Sequence, residues 1–245
     1  MKSTLIICAL VEEVNAVKSQ FKQVGQEVEI NSDIGLYCTR YQTEREIFYI
    51  VLSGMGPINA TLRLSQVLTK LNIDQVYLLG VAGGLTSKTH IGDLVISKGV
   101  VQHDYFSSLE SGDFVMKSGD LILSETDSKN YDPFLYAHQE LITLCLKTKI
   151  EGHQIFIGMI ASGSEFVGRS ERKIKISKMH PDLLAVDMEA SAVANVCTLF
   201  KIPFVVAKTI SDTLHTDGSI ETDFVKFLHL ASLNAAQVVK VITEP

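Results

Sequence analysis

The chain has 245 residues, a length that suits one large α/β domain or two small ones. Hydrophobic residues make up 46% and charged residues 20%, which is typical of a soluble enzyme with a sizeable core. The formal net charge is −6 and no run of Lys and Arg forms a stripe, which argues against nucleic acid as the main partner.

The cysteines and the N-terminus bear on the compartment. The 4 cysteines are scattered without the close spacing of a zinc or redox motif, a usage typical of a reducing compartment. The N-terminal apolar run, residues 5–11, is too short for an export signal and is followed by Glu12 and Glu13. No apolar stretch approaches the roughly 20 residues that span a bilayer. We therefore expect a cytoplasmic protein whose partners include neither a membrane nor nucleic acid.

Apolar runs with strand character recur along the chain. In order they cover residues 5–10, 47–52, 76–80, 94–96, 155–160, 183–186 and 203–210. Several lack period-2 alternation, which indicates strands buried on both faces of a sheet. Residues 36–43 alternate more clearly and predict a hairpin with residues 45–52.

Helical patterns lie between these strands, at residues 57–71, 133–147, 189–200 and 224–242. The first begins with Gly56 and Pro57, a favourable helix start. The third is built of small apolar residues and should be buried. Strands that alternate with helices predict an α/β fold, with residues 1–245 as a single three-layer domain whose central mixed β-sheet is flanked by helices.

Two polar segments interrupt this pattern. Residues 106–132 are rich in Gly, Ser and Asp, and we interpret them as an irregular segment. They fit the border of an active site or interface as well as a plain surface loop. Residues 169–178 form the densest basic stretch, which we interpret as the solvated face of a helix.

Acidic residues follow three of the predicted strands. Glu12 and Glu13 come after the first strand, where a helix N-terminus would stabilise one of them. Glu189 opens the helix of small residues just after Asp187, and Asp212 ends the last apolar run. A buried carboxylate resists ionisation unless its neighbours compensate. These acids are therefore candidates for chemistry, although helix caps and structural ion pairs give the same pattern.

Other strand ends carry weaker signals. Residues 80–85 contain three glycines, which predict a tight turn or the close approach of a ligand, but they form neither a GxGxxG motif nor a P-loop. Phe166 fits either the core or a ring that stacks on a flat ligand. His103 and Asp104 lack a third ligand at a recognisable spacing, so no metal site is predicted.

The order of these motifs runs from Leu5 to Val241. It comprises carboxylates after the first strand, a Gly-Gly turn, Ser-Gly-x-x-Phe, Val-x-Met-Glu and Ile-Ser-Asp. This order resembles the nucleoside phosphorylase/hydrolase superfamily, and the sequence from Ala9 to Val14 is similar to its 5′-methylthioadenosine/S-adenosylhomocysteine nucleosidase branch. The resemblance implies a nucleoside phosphorylase-like fold, a homodimer, a small-molecule nucleoside substrate and no metal or other cofactor. It also implies hydrolysis of the N-glycosidic bond of one or both nucleosides, with release of adenine, in methionine salvage.

The resemblance implies a role for each matching residue. Glu13 would activate the attacking water, Glu189 would hold the ribose hydroxyls, and Asp212 would donate a proton towards purine N7. Phe166 would stack on the base, and the backbone of Val167 would read its edge. The other implied substrate contacts are Leu10, Met55 and Phe224 around the 5′-thio group, Met188 beneath the ribose, and Val81, Ala82, Gly83, Asp187, Lys208 and Ser211.

The chemistry of the reaction agrees with these roles. An N-glycosidic bond breaks through an oxocarbenium-like state, as glycoside cleavage does. Adenine is a poor leaving anion, so an acid must neutralise it as it departs. A carboxylate near the ribose would stabilise the positive charge that develops there.

Four positions depart from the family pattern. Lys208 stands in place of Arg, Asp187 in place of Glu, Ser164 in place of Asp, and Pro57 in place of Lys. These changes bear on substrate choice more than on reaction class, so a nucleosidase for another purine nucleoside is one alternative. A phosphate-dependent purine nucleoside phosphorylase is a second, although an acid at Glu13 would repel phosphate. A nucleoside-binding protein without catalysis is a third.

Overall fold

A computed structural model describes residues 1–21, 26–29, 38–214 and 220–244. The strands in these ranges are β1 (Lys2–Cys8), β2 (Gln26–Glu29), β3 (Cys38–Gln42), β4 (Glu46–Leu52), β5 (Gln75–Gly84), β6 (Leu94–Gln102), β7 (Phe106–Leu109), β8 (Gly112–Val115), β9 (Leu135–Tyr136), β10 (Ile155–Ser162), β11 (Leu183–Asp187) and β12 (Phe204–Asp212). The helices are α1 (Val11–Phe21), α2 (Pro57–Leu68), α3 (Glu125–Ser128), α4 (Gln139–Cys145), α5 (Ser170–Ser177), α6 (Ala190–Phe200), α7 (Ile220–Ala236) and α8 (Val238–Thr243).

One ten-stranded mixed sheet organises the fold, in the order β11-β10-β6-β12-β5-β1-β4-β3-β2 with β9 paired to β6. Strands β12, β5, β1 and β4 pair in parallel, and so do β6, β10 and β11, whereas β6 and β12 are antiparallel. Strand β11 also pairs with β5, at Val186 and Gly83. This contact closes five strands into a ring.

Apolar side chains fill both faces of the sheet. In β1, Leu5 and Ile7 join the cluster that contains residues of α2 and α6, whereas Ile6 and Cys8 join the cluster that contains residues of α1, α4 and α8. All four side chains are fully buried. Burial on both faces explains why these strands are continuously apolar in the sequence. The predicted α/β fold, with a central mixed sheet between helices, is confirmed.

The helix predicted over residues 133–147 is only partly present. Leu135–Tyr136 forms β9, which pairs with Gly99 and Val100 of β6, and the helix α4 covers only Gln139–Cys145. Pairing with a distant strand therefore overrides the local helical pattern at the start of this segment.

The polar segment of residues 106–132 is partly regular. Strands β7 and β8 form a two-stranded antiparallel hairpin. The short helix α3 follows, with the hydroxyl of Ser124 accepting the N–H of Asp127 at its start.

The C-terminal helix predicted over residues 224–242 is two helices, α7 and α8, with a break at Gln237. The segment Phe224–Thr243 has the length and the mean hydropathy, 1.2, of a membrane-spanning helix, so the expectation that no apolar stretch approaches that length is wrong. Its buried side, including Ala231 and Val239, packs against the sheet and α1, as the helix of a folded core does.

Candidate active site

A cavity lies at the carboxyl ends of the strands, the place where ligands collect in open α/β sheets. Its lining consists of Ala9, Leu10, Glu13, Met55, Val81, Ala82, Gly83, Glu165, Phe166, Val167, Val186, Asp187, Met188, Glu189, Ser211, Asp212 and Phe224. Glu13, Glu189 and Asp212, which are far apart in the sequence, therefore line one cavity. Among the predicted site residues, only Lys208 is absent from this lining.

Glu13 lies in the first turn of α1 and is 2% exposed. The N–H groups of Ala9 and Leu10 donate to its Oε2, over 2.8 and 2.9 Å, and the N–H of Val81 donates to its Oε1 over 2.8 Å. Burial raises the pKa of Glu13, and Lys208 and the three N–H groups offset this only in part. The result is a carboxylate with a fixed orientation and an increased affinity for a proton, as a general base requires.

The turn predicted at residues 80–85 is wrong, because β5 continues to Gly84 and pairs there with β11. A Cβ atom on Gly80 would lie 2.2 Å from Oε1 of Glu13. A Cβ atom on Gly83 would lie 2.9 Å from Nζ of Lys173. These glycines leave space for buried ionic side chains and do not reverse the chain.

Lys208 lies on β12 and links two of the acids from behind the cavity. Its Nζ is 3.0 Å from Oδ2 of Asp187 and 3.4 Å from Oε2 of Glu189, and its side chain has no exposed surface. The N–H of Gly56 donates to Oε1 of Glu189 over 2.8 Å. Asp187 also accepts the N–H of Ala190, at the start of α6, over 3.1 Å. The shorter Asp187 therefore holds Lys208 and caps a helix, and Lys208 compensates two carboxylates without an arginine fork.

Burial and the neighbouring charges shift the pKa values of Glu189 and Lys208. Burial raises the pKa of Glu189 to about 7; Lys208 opposes the rise and Asp187 adds to it. Burial alone would lower the pKa of Lys208, but Asp187, Glu189 and Glu13 raise it above the ordinary lysine value. Lys208 is therefore a permanent cation beside Glu189, whose carboxylate binds a proton readily.

Asp212 ends β12 and is 3% exposed. Its Oδ1 lies 2.8 Å from Oγ of Ser211, and its Oδ2 accepts a hydrogen bond from Nζ of Lys173 in α5. The side chain of Lys173 is fully buried. The interpretation of residues 169–178 as a solvated face holds for Glu171 and Lys175 but is wrong for Lys173. Sequence reasoning missed this residue because its local pattern does not distinguish it from its basic neighbours.

Phe166 is 49% exposed and lines the cavity, so the interpretation as a core residue is wrong. Its ring meets that of Phe224 edge to face, with the centroids 5.2 Å apart and the planes at 75°. Val167 is buried next to it, whereas Met55 is 58% exposed at the cavity.

Several other residues complete or leave the predicted site. Sequence reasoning missed Ala9, Glu165 and Val186, which adjoin predicted residues in the chain.

Ser164 is outside the lining, and its N–H donates to Oδ2 of Asp104 over 2.6 Å. No residue of 106–132 lines the cavity, so the interpretation of that segment as a border of this site is wrong. In the described part of the chain, no group of three His, Cys, Asp or Glu side chains is placed to hold a metal ion.

The chain is similar to known proteins over almost its whole length. The sequence profile of the phosphorylase superfamily matches residues 3–244. The chain belongs to the phosphorylase superfamily. It is 30% identical, over 240 residues, to the 5′-methylthioadenosine/S-adenosylhomocysteine nucleosidase of Staphylococcus epidermidis, and the match covers 98% of each chain.

Solved structures of other proteins have the same fold. The nucleosidase of the same name from Neisseria meningitidis, in complex with methylthio-immucillin-A, has a TM-score of 0.80 and 25% identity, with 99% of each chain covered. Futalosine hydrolase of Helicobacter pylori has a TM-score of 0.79 over 98% of this chain and 97% of its own, and at 24% identity that likeness concerns the fold alone.

Proposed function

We propose that this member of the superfamily is a nucleosidase that hydrolyses the N-glycosidic bond of 5′-methylthioadenosine, S-adenosylhomocysteine or both, and releases adenine. The observation that carries the proposal is the meeting of Glu13, Glu189 and Asp212, three buried carboxylates with different partners, in one cavity. The named nucleosidases among its relatives support this choice of substrate.

The sugar end of the cavity is formed by Glu13, Asp187 and Glu189, with Lys208 behind Asp187 and Glu189. In the proposed reaction, Glu13 takes a proton from the attacking water, a role that suits its raised pKa. Glu189 accepts hydrogen bonds from the ribose hydroxyls, and Met188 packs beneath the ring. The carboxylates of this end stabilise the positive charge that develops on the sugar as the bond to the base breaks.

The base end of the cavity is formed by Phe166, Val167, Ser211 and Asp212, with Lys173 behind Asp212. In the proposed reaction, the ring of Phe166 stacks on adenine and the backbone of Val167 contacts its edge. Asp212 transfers a proton to purine N7, so that the base leaves as a neutral molecule. These steps require no metal or other cofactor.

The electrostatics of the cavity disfavour a phosphorylase. Anionic phosphate is bound in proteins by cationic or strongly donating groups. The described residues that line the cavity include no Lys, Arg or His, and a negative charge on Glu13 would repel phosphate. Water is therefore the proposed nucleophile.

A substrate panel tests the proposal. Purified protein is assayed for free base with 5′-methylthioadenosine, S-adenosylhomocysteine, adenosine and inosine, with and without added phosphate. We expect adenine release from one or both thionucleosides at the same rate in both buffers. Strict dependence on phosphate would indicate a phosphorylase, and release only from another nucleoside would reassign the substrate. Binding without release would indicate a non-catalytic protein.

We also propose a cytoplasmic homodimer that serves methionine salvage, as the resemblance implies. An exposed apolar surface on and before α2 supports the dimer: Met55 is 58% exposed, Ile58 81% and Leu62 58%. Met55 belongs to this surface and to the cavity lining, so a second copy that covers α2 would also enclose the 5′-thio end of the substrate.

The variant Leu62→Glu tests the dimer, because it places a charge on that surface outside the cavity. Sedimentation equilibrium is expected to show a dimer for the wild type and a weaker one for the variant, with a raised KM for methylthioadenosine. The exposed Leu199→Glu, on α6, is the matched control. A monomeric wild type would overturn the dimer but not the reaction.

A further inference from the structure

Lys173 lies next to the acid of the base end. Its side chain reaches from α5 to Asp212, where Nζ contacts Oδ2, and it has no exposed surface. It is absent from the cavity lining, whereas Asp212 belongs to it. Gly83 leaves room beside the pair, since a Cβ atom there would lie 2.9 Å from Nζ and 3.0 Å from Oδ2.

The pair has a consequence for proton transfer. An ammonium group in contact with a carboxylate favours its ionised form. A carboxylate that an ammonium group keeps ionised has no proton to give to a departing base. The proton that can be transferred is then on Nζ of Lys173, and the carboxylate oxygen that accepts it belongs to the residue that faces the cavity.

We propose that Lys173 supplies the proton that Asp212 passes to the leaving purine. The inference rests on the proposed function. Lys173 acts through Asp212 and does not touch the substrate, so it is a positioning residue that also holds the proton between turnovers.

The C1′–N9 bond breaks and its electron pair stays with the base, while Asp212 gives a proton to N7 and takes one from Lys173. Water forms the new C–O bond at C1′ and gives a proton to Glu13. The enzyme is left with a neutral Lys173 amine and a protonated Glu13. Loss of one proton to solvent and gain of another restore the starting state.

Two substitutions separate a proton source from a purely structural ion pair. Lys173→Arg keeps the cation beside Asp212, but a guanidinium does not release its proton at any assay pH. Lys173→Met removes both the charge and the proton. Lys175→Met, at an exposed position of the same helix, is the matched control.

The assay uses two substrates with different leaving groups. One is 5′-methylthioadenosine, whose base must be protonated as it leaves. The other is the 5-methylthioriboside of 4-nitrophenol, whose leaving group departs without a proton. We expect Lys173→Arg and Lys173→Met each to lower kcat on methylthioadenosine by about 10²-fold with little change in KM. On the nitrophenyl riboside both should stay within about threefold of the wild type, because no acid is needed there.

The pH profile gives a second readout. In Lys173→Met, Asp212 must take its proton from solvent, so the alkaline limb of kcat on methylthioadenosine is expected to move to lower pH. The other charged groups around the cavity are unchanged in the variant, and Lys173→Arg, which keeps the positive charge, controls for the effect of charge on their pKa values. These groups are Glu13, Glu165, Arg172, Asp187, Glu189 and Lys208.

The outcomes are distinct. Near-normal turnover of methylthioadenosine by Lys173→Arg, or equal losses on both substrates, would overturn the inference and leave the proposed function standing. A wild type that releases no base from any nucleoside would overturn the proposed function and the inference with it. If Lys173→Met fails to fold, Lys173→Arg, which retains the ion pair, still distinguishes a proton source from a purely structural ion pair.

Discussion

The two ends of the cavity differ in the number of carboxylates that surround the buried lysine behind each of them. At the sugar end, Lys208 faces Asp187 and Glu189, and Glu13 also acts on its pKa, so three carboxylates share one ammonium group. At the base end, Lys173 and Asp212 pair one to one. Excess negative charge suits a site where the sugar becomes cationic, whereas a balanced pair suits the delivery of one proton.

Asp212→Asn removes the proposed acid of the base end, and we expect it to have the largest effect on catalysis. The amide cannot transfer a proton to N7, so kcat for methylthioadenosine should fall by about 10³-fold. The dissociation constant should stay within about tenfold, because Phe166 and the sugar end are unchanged. Adenine release and equilibrium titration measure the two quantities. A near-normal rate would remove Asp212 from the acid role.

Lys208→Met breaks the sugar end. It leaves Asp187, Glu189 and Glu13 without their cation in a buried site, so the free energy of unfolding should fall by about 3–5 kcal/mol. Lys208→Arg should retain most of that stability, because the charge survives. Denaturant unfolding measures the difference, with the exposed Lys175→Met as control. Equal stability of Lys208→Met and the wild type would contradict the account of this cluster.

The raised pKa of Glu189 predicts a pH dependence of stability at the sugar end. The folded protein holds this proton up to about pH 7, whereas the ordinary glutamate value is 4.5. Its contribution to stability is therefore fully present below 4.5 and is lost as the pH rises through about 7. Glu189→Gln should reduce this decline by on the order of 1 to 3 kcal/mol. Identical slopes for the two proteins would contradict the assignment.

Phe166→Ala has the smallest expected effect and tests whether this ring stacks on the purine at the base end. Loss of stacking on the purine should raise KM for methylthioadenosine by roughly tenfold and change kcat less. Phe106→Ala is the matched control, since Phe106 is 47% exposed on β7 and outside the cavity. Equal effects of the two substitutions would show that Phe166 does not contact the base.

The sequence predicts the layered fold well, because continuous apolar strands and amphipathic helices report their own burial. The prediction fails where contacts with residues elsewhere in the chain determine the local structure or the burial of a side chain. Residues 135–136 become a strand because β6 offers an edge, and β5 continues through its glycines because β12 and β11 pair with it there. Lys173 resembles its solvated neighbours in sequence, and only the position of Asp212, 39 residues away, gives it a separate role.

The most direct test of the two-ended cavity is a crystal structure of the Asp212→Asn variant with 5′-methylthioadenosine. We expect the purine to stack on Phe166 with its N7 within hydrogen-bond distance of residue 212. The ribose hydroxyls should donate hydrogen bonds to Glu189. A nucleoside bound in the reverse orientation, or outside this cavity, would contradict it.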